Sequence, residues 1–429
     1  MLLLVGLTFV LIFLGMEICW AIGIACLSYL ILGNVTGENP LPFVLFSQQV
    51  VDGVDSFPLL AIPLFIFAGL LMSASGITAR LIRCAGAFVG HIHGGLANVA
   101  VTSNFLMSGM SGSAIADAAS TGSVLIPEMK RKGYPAAFAC AVIAAASTVG
   151  PIIPPSIMFV LLGAIINLSV GKLFLGGVLP GAFMFIAMFV LTYMICRWRG
   201  YPREPRIGWR ERGTAVLAAL LPLAAPLVVV RSMVVGVATP TEAAAILVFY
   251  VLIVGVVFYR SLPVEAIMRC AARAGLLTAA IMLVVATSKM FTWLAVQEDF
   301  GAAIANAMLA ISDNVYVLLL LTNVVLLILG ALMDPLPIIL VLGPILFPLF
   351  QSMGIDPIHF GVVMTVNLIL GLTTPPVGLI LTVVGVIGRS DVMAIFRAAV
   401  PYIATLFLVL LAITFVPPIV LWLPNLLLP

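Results

Sequence analysis

Residues 371–378, GLTTPPVG, interrupt the apolar run 360–387, which is otherwise long enough to cross a bilayer; residues 150–156, GPIIPPS, interrupt the run 136–166 in the same way. Proline cannot donate a helical hydrogen bond and glycine marks breaks, so each stretch divides its helix near the middle. Lipid cannot satisfy the N–H and C=O groups freed there. Irregular backbone at that depth persists only where protein surrounds it or where it lines a wet cavity. The two stretches are also related to one another: Gly150 and Gly371, Pro154 and Pro375, and Pro155 and Pro376 each lie 221 residues apart (371 minus 150).

The same offset links Gly15 with Gly236, Gly109 with Gly330, Gly122 with Gly343, Pro127 with Pro348, Gly133 with Gly354, Ser169 with Ser390 and Pro180 with Pro401. Such residues punctuate a backbone rather than fill it, so their agreement at one gap-free offset identifies an internal repeat. Apolar spans fall at 2–14, 18–32, 58–72, 136–166, 173–196, 215–235, 242–258, 275–296, 360–387 and 398–423. Two further apolar stretches, 96–129 and 315–350, are broken by Gly, Ser or Pro near their middle and read as re-entrant hairpins. Each half then has five full spans and a hairpin, an odd count that inverts the second half. The predicted fold is an all-α polytopic membrane protein of two inverted-topology repeats, 1–196 and 215–429, each with a re-entrant helical hairpin and a broken helix. A basic linker, 197–214, joins them.

Composition agrees with lipid as the solvent. Of 429 residues, 63% are hydrophobic and 8% charged, with mean hydropathy +1.30, where soluble domains carry roughly 25% charged residues. No soluble domain fits between the spans. The opening run 2–14 lacks a basic n-region and a small-residue cleavage pattern and reads as a retained helix. Threading the spans places every basic residue except Lys172, Arg231 and Lys289 on one face, which the positive-inside rule makes the cytoplasm. That puts the N-terminus on the side of the membrane away from the cytoplasm. The net charge of +3 arises in loops, and no basic stripe interleaved with aromatics points to nucleic acid. Six cysteines are scattered without CxxC spacing and read as packing residues. An enzyme is disfavoured, since no HExxH or paired catalytic carboxylates appear and the serines lack a nearby base. No organic cofactor is expected.

The breaks are where chemistry belongs, because interrupted helices aim N-termini at an anion and free carbonyls at a cation. In SGMSGSAIAD, residues 108–117, Ser108, Ser111 and Ser113 supply oxygens while Gly109 and Gly112 allow close approach, which suits a hard cation such as Na⁺. GPIIPPS frees the carbonyls of Gly150 and its neighbours and adds Ser156. The second half offers GALMDP and GLTTPPVG, with Asp334 at the place of Ser113 and Thr374 at that of Ile153 (both 221 residues apart); Thr373 lies beside it. A carboxylate at mid-bilayer costs about 2.5–3.5 kcal/mol on insertion scales. Asp334 therefore either couples an ion or caps the half-helix that Pro335 begins, and Asp117 either serves the site or caps the second arm of its hairpin. Lys289 lies inside a span and either meets an anionic substrate or snorkels along a cavity wall. In TPTEAAA, Thr239, Pro240 and Glu242 form a capping-box pattern. His91 and His93 have no third ligand nearby. Residues 49–55 and 78–88 read as interfacial helices.

Four motifs in order, SGSAIADAASTGSVLIPEMKRKGY, GPIIPPSIMFV, GVATPTEAAA and GLTTPPVGLIL, resemble the large membrane subunit of tripartite ATP-independent periplasmic (TRAP) transporters across essentially the whole chain. The resemblance implies an elevator-type, sodium-driven importer of small organic acids. It also implies a small four-helix membrane subunit and a periplasmic substrate-binding protein as partners. On matching positions, one sodium site would involve Ser108, Ser113, Gly150, Ile153 and Pro155. A second would involve Gly330, Asp334, Gly371 and Thr374, with Val377 close by. Ser111, Ser113 and Ser156 would face the substrate carboxylate; Gly112, Asp117, Lys289 and Thr373 complete the candidate substrate set. Some family members reach that carboxylate with an arginine in the span around 289–297, and this sequence has none there. The competing reading is a one-component divalent-anion carrier that shares the hairpins and needs no partner.

Overall fold

The computed structural model describes residues 2–37 and 40–428, and every regular element among them is helical. The first half contains α1 (Leu2–Phe13), α2 (Ile18–Thr36), α3 (Val44–Val54), α4 (Ala61–Ala74), α5 (Ile77–Val89), α6 (Gly95–Ser111), α7 (Ala114–Arg131), α8 (Ala136–Ser147), α9 (Ile157–Ile166) and α10 (Val170–Trp198). The second contains α11 (Trp209–Val234), α12 (Pro240–Leu252), α13 (Val264–Gln297), α14 (Phe300–Leu309), α15 (Val315–Leu332), α16 (Pro335–Ser352), α17 (Pro357–Gly371), α18 (Leu379–Gly388), α19 (Val392–Phe415) and α20 (Pro418–Leu427). Nine stretches among the described residues are long and apolar enough to cross a membrane. Large apolar side chains stand exposed around the outside, Leu227, Phe249, Leu276 and Val386 among them, as expected where the surrounding solvent is hydrocarbon. The chain is a multi-span membrane protein.

Adding 221 to the bounds of α7 gives those of α16 (114 to 335, 131 to 352), and the neighbouring helices correspond with small differences at their ends. Polar residues set many helix starts. Side chains of Ser113, Ser156, Ser169, Asn314, Asp334, Asp356 and Asp391 each accept a hydrogen bond from the first turn of the following helix, filling donors that a helix leaves open. At α12 the sequence expectation is met in full: the Glu242 carboxylate accepts from the Thr239 N–H at 2.7 Å, and the Thr239 hydroxyl accepts from the Glu242 N–H.

Packing exchanges elements between the halves. The hairpin arm α7 lies on α18 and its counterpart α16 lies on α9; α8 lies on α19 as α17 lies on α10. Such reciprocal contacts are what a two-fold relation produces. Around this body α2, α3 and α4 pack on α13, and α12 packs on α4 and α11. The linker does not hang free. Tyr201 lies 4.7 Å from the ring of Tyr134 and 5.1 Å from that of Phe138, Glu204 pairs with Lys132 at 3.1 Å, the Glu204 N–H donates to the Gly90 carbonyl, and Arg203 contacts His93.

Three expectations change in detail. The run 398–423 is two helices, because Pro417 and Pro418 lack the N–H groups that would carry α19 past Phe415. The span 242–258 relaxes into a π-helical turn over Ile253–Phe258. The span read as 275–296 belongs to a helix of 34 residues, about 51 Å long at 1.5 Å per residue, so it far exceeds a hydrocarbon core of about 30 Å.

Candidate functional site

At the first hairpin tip α6 ends at Ser111, Gly112 turns the chain with φ of 61°, and Ser113 caps α7, its hydroxyl accepting from the Ala116 N–H at 3.4 Å. The tip rests on the break between α8 and α9: a Cβ added at Gly112 would lie 3.2 Å from the Pro155 carbonyl oxygen. Across that break the Pro154–Pro155 bond is cis. The Ser156 hydroxyl donates to the Pro151 carbonyl and accepts from the Phe159 N–H at the start of α9. The Ser108 hydroxyl donates to the Phe105 carbonyl at 2.6 Å, and Ile153 packs on Gly181 of α10.

Asp117 is fully buried. Ser113 holds the N-cap position, so the capping reading of Asp117 is corrected: the residue sits inside the first turn of α7. Neither of its carboxylate oxygens has a partner of hydrogen-bonding geometry, although the Ser111 hydroxyl is near enough to act on it. The carboxylate fills the space a side chain at position 150 would need, 2.3 Å from a Cβ built on Gly150.

The second tip is tighter. Met333 is extended, and Asp334 caps α16 with Oδ1 accepting from the Leu336 N–H at 3.0 Å. Gly330 and Gly371 meet backbone to backbone, since a Cβ on Gly371 would lie 2.3 Å from the Gly330 carbonyl carbon. The Val377 N–H donates to the Ala331 carbonyl at 3.3 Å, joining tip to break. The Thr374 N–H donates to the Gly371 carbonyl at 2.8 Å, while the hydroxyls of Thr373 and Thr374 both turn back to the Leu370 carbonyl. The Pro375–Pro376 bond is cis, matching the first half. The first tip thus meets its break at Pro154 and Pro155, and the second tip meets its break at Gly371 and Val377.

Four helices (α7, α9, α16, α18) begin at these interruptions and four (α6, α8, α15, α17) end there. Open N–H groups of the former favour an anion and open carbonyls of the latter a cation. A cavity of about 470 Å³ lies among them, lined by Ser111, Gly112, Ser113 and Asp117 of the first tip, Asp334 of the second, and Arg273 of α13. That volume suits a small molecule.

Ser156 and Thr373 are buried outside this cavity with their hydroxyls engaged. Lys289 is not part of its lining; it faces a second, separate cavity. Arg273 is the residue sequence reasoning missed, having been placed on a cytoplasmic face before a span starting at 275. The signal was present in the run VEAIMRCAARAG, which contains no helix breaker between Val264 and Ala274 and so continues α13 eleven residues further back (275 minus 264). His91 and His93 do not line the cavity and lie at the turn before α6. Burial, then Arg203 and Arg197, hold the His93 imidazole below its ordinary range.

Two hairpin tips closing on two interrupted helices around a charged, hydroxyl-lined cavity define a membrane transporter rather than an enzyme. Residues 5–419 match the family model described as Tripartite ATP-independent periplasmic transporter, DctM component, and the chain belongs to that family. It is 39% identical over 416 residues to the sialic acid TRAP transporter large permease protein SiaM of Vibrio cholerae, covering 97% of this chain and 96% of that one. It is 37% identical to the C4-dicarboxylate TRAP transporter large permease protein DctM of Pseudomonas aeruginosa, covering 90% and 93%. The 2,3-diketo-L-gulonate TRAP transporter large permease protein YiaN of Escherichia coli is 32% identical, covering 95% of each chain. In fold, the crystal structure of the Alcanivorax borkumensis YdaH transporter superposes with a TM-score of 0.65 at 16% identity, covering 91% of this chain and 95% of that one.

Proposed function

We propose that this chain is the transporting subunit of a three-part system that takes up a small organic acid with sodium across the bacterial inner membrane. A small four-helix membrane subunit and a periplasmic binding protein would complete the system. The observation that carries the reading is one cavity lined by both hairpin tips, by the starts of α7, α9 and α16, and by Pro151 and Leu372 of the two breaks. That arrangement offers an anion site and cation sites side by side. Ser108, Ser113, Gly150, Ile153 and Pro155 would hold one sodium ion, and Gly330, Asp334, Gly371, Thr374 and Val377 a second. Ser111, Gly112 and Ser113 would face the substrate carboxylate, with Arg273 offering a positive charge in the same cavity. Relatives named for sialic acid, C4-dicarboxylates and 2,3-diketo-L-gulonate support an organic acid as cargo.

In this reading sodium draws each tip onto its break, completes the substrate site, and lets the hairpin-bearing body slide past α13 with the halves in inverted orientation. The test is uptake into proteoliposomes holding all three components. An inward sodium gradient should drive accumulation, and replacing sodium with choline should abolish it. Undiminished uptake in choline removes the coupling, and uptake by the chain alone restores the one-component carrier.

A further inference from the structure

The second cavity, about 300 Å³, shares no lining residue with the first. It lies between α13 and α3 on one side and α9 and α16 on the other. Gly53 lets the two frame helices close up, since a Cβ there would lie 2.9 Å from the Lys289 Cβ and 3.2 Å from the Ala286 Cα. Asp52 and Asp55, both exposed, flank Gly53 and line the cavity together with Asn167. On α13 the first cavity reaches to Ile281 and the second begins at Val285, four residues or about 6 Å of helix further on. The cavities therefore occupy different levels of α13, with Lys289 away from its arginine-bearing end.

Two features point to a ligand. Ser288 is only 2% exposed, lines the cavity, and its hydroxyl has no hydrogen-bond partner; a buried hydroxyl left unpaired costs free energy that a ligand oxygen would recover. Lys289 beside it forms no ion pair with an acidic side chain among the described residues, although two carboxylates line the same cavity. An ammonium and a free hydroxyl together suit one carboxylate. Asp52 and Asp55 are acceptors only, so they suit donors on the same ligand and repel a second carboxylate.

We propose that the second cavity is a distinct binding site for a monocarboxylate that also carries hydroxyl or ammonium groups. Lys289 and Ser288 hold its carboxylate, and Asp52 and Asp55 accept from its donors. It is a receiving position, filled before the substrate reaches the hairpin tips. Only that order of filling rests on the transport reading; the binding itself does not.

The test uses the full chain with its small membrane subunit in nanodiscs and calorimetric titration with two probes, gluconate and succinate. Wild-type protein should bind gluconate and prefer it to succinate. Lys289→Gln should weaken gluconate binding about tenfold, Ser288→Ala less, and Lys289→Arg should retain it with an unchanged melting temperature. The Asp52→Asn, Asp55→Asn double variant should lose the preference over succinate. Gluconate affinity unaltered in Lys289→Gln, no binding of gluconate at millimolar concentration, or a wild-type preference for succinate overturns the proposal. Uptake that stops in choline while Lys289→Gln binds gluconate normally removes this site and keeps the transport reading. Binding lost in Lys289→Gln alongside sodium-independent uptake supports the site and removes the coupling.

Discussion

The two hairpin tips occupy matching positions in the repeat yet solve the same problem with different chemistry. The first, Ser111-Gly112-Ser113, turns through a left-handed glycine and caps α7 with a neutral hydroxyl 3.4 Å from its donor. The second, Met333-Asp334-Pro335, runs extended and caps α16 with a carboxylate at 3.0 Å. The charge lost at one tip reappears one turn on: the first half keeps its carboxylate at Asp117, buried against Gly150, whereas the position matching it, 338, is an isoleucine. Each half thus brings a single carboxylate to the shared cavity, at the cap in one and within the helix in the other. Sequence repetition preserved the backbone and let the side-chain oxygens at the tips diverge.

The largest effect is expected from neutralising the two caps in parallel. Asp334→Ala should reduce sodium-driven uptake about a hundredfold and Ser113→Ala about tenfold, because hydrogen bonds and ligation by charged groups are roughly twice as strong as those of neutral ones. Both variants should elute from size exclusion as wild type does. Near-normal uptake by Asp334→Ala makes its carboxylate a cap alone, and equal losses at both positions erase the distinction between the tips.

The glycines facing the tips differ in what they touch, which a second pair of substitutions can sharpen. Gly371→Ala drives a methyl into the Gly330 backbone, which cannot rotate away, whereas Gly150→Ala meets the movable end of Asp117. Overpacking costs about 1–3 kcal/mol, so the first change should lie at the upper end and the second near the lower, read as melting temperatures in detergent. A larger loss from Gly150→Ala would mean that Asp117 is held as rigidly as main chain.

The smallest effect is expected at the second helix of each half. α12 begins with the Thr239–Glu242 box, while α2, at the matching place, starts without a side-chain cap. Glu242→Ala should lower the melting temperature slightly, by loss of one half of the capping box, and leave uptake unchanged. Lost uptake at unchanged stability would give Glu242 a part in transport.

Much of this architecture could be read from punctuation. The hairpin expected at 96–129 spans Gly95–Arg131, and the breaks at 150–156 and 371–378 fall where α8 gives way to α9 and α17 to α18. Glycine and proline act through the backbone, and their consequences are local enough to follow along one chain. Side-chain placement across elements was not legible in that way. Arg273 joins the tips because α13 runs far past a span's length, and Lys289 leaves them because α3 lies against it at Gly53. Asp117 was open between two roles because its hydrogen-bond options depend on Ser113, four residues before it, taking the cap first.

The anchoring of the linker sets a measurable limit. Tyr201, Arg203 and Glu204 are fastened to the turns flanking the first hairpin, and α11 begins at Trp209. Five residue steps therefore form the only covalent leash between those anchors, and an extended chain spans at most about 3.6 Å per step. However the membrane bodies rearrange, the first hairpin and the start of α11 can separate by roughly 18 Å and no further without unfastening Glu204.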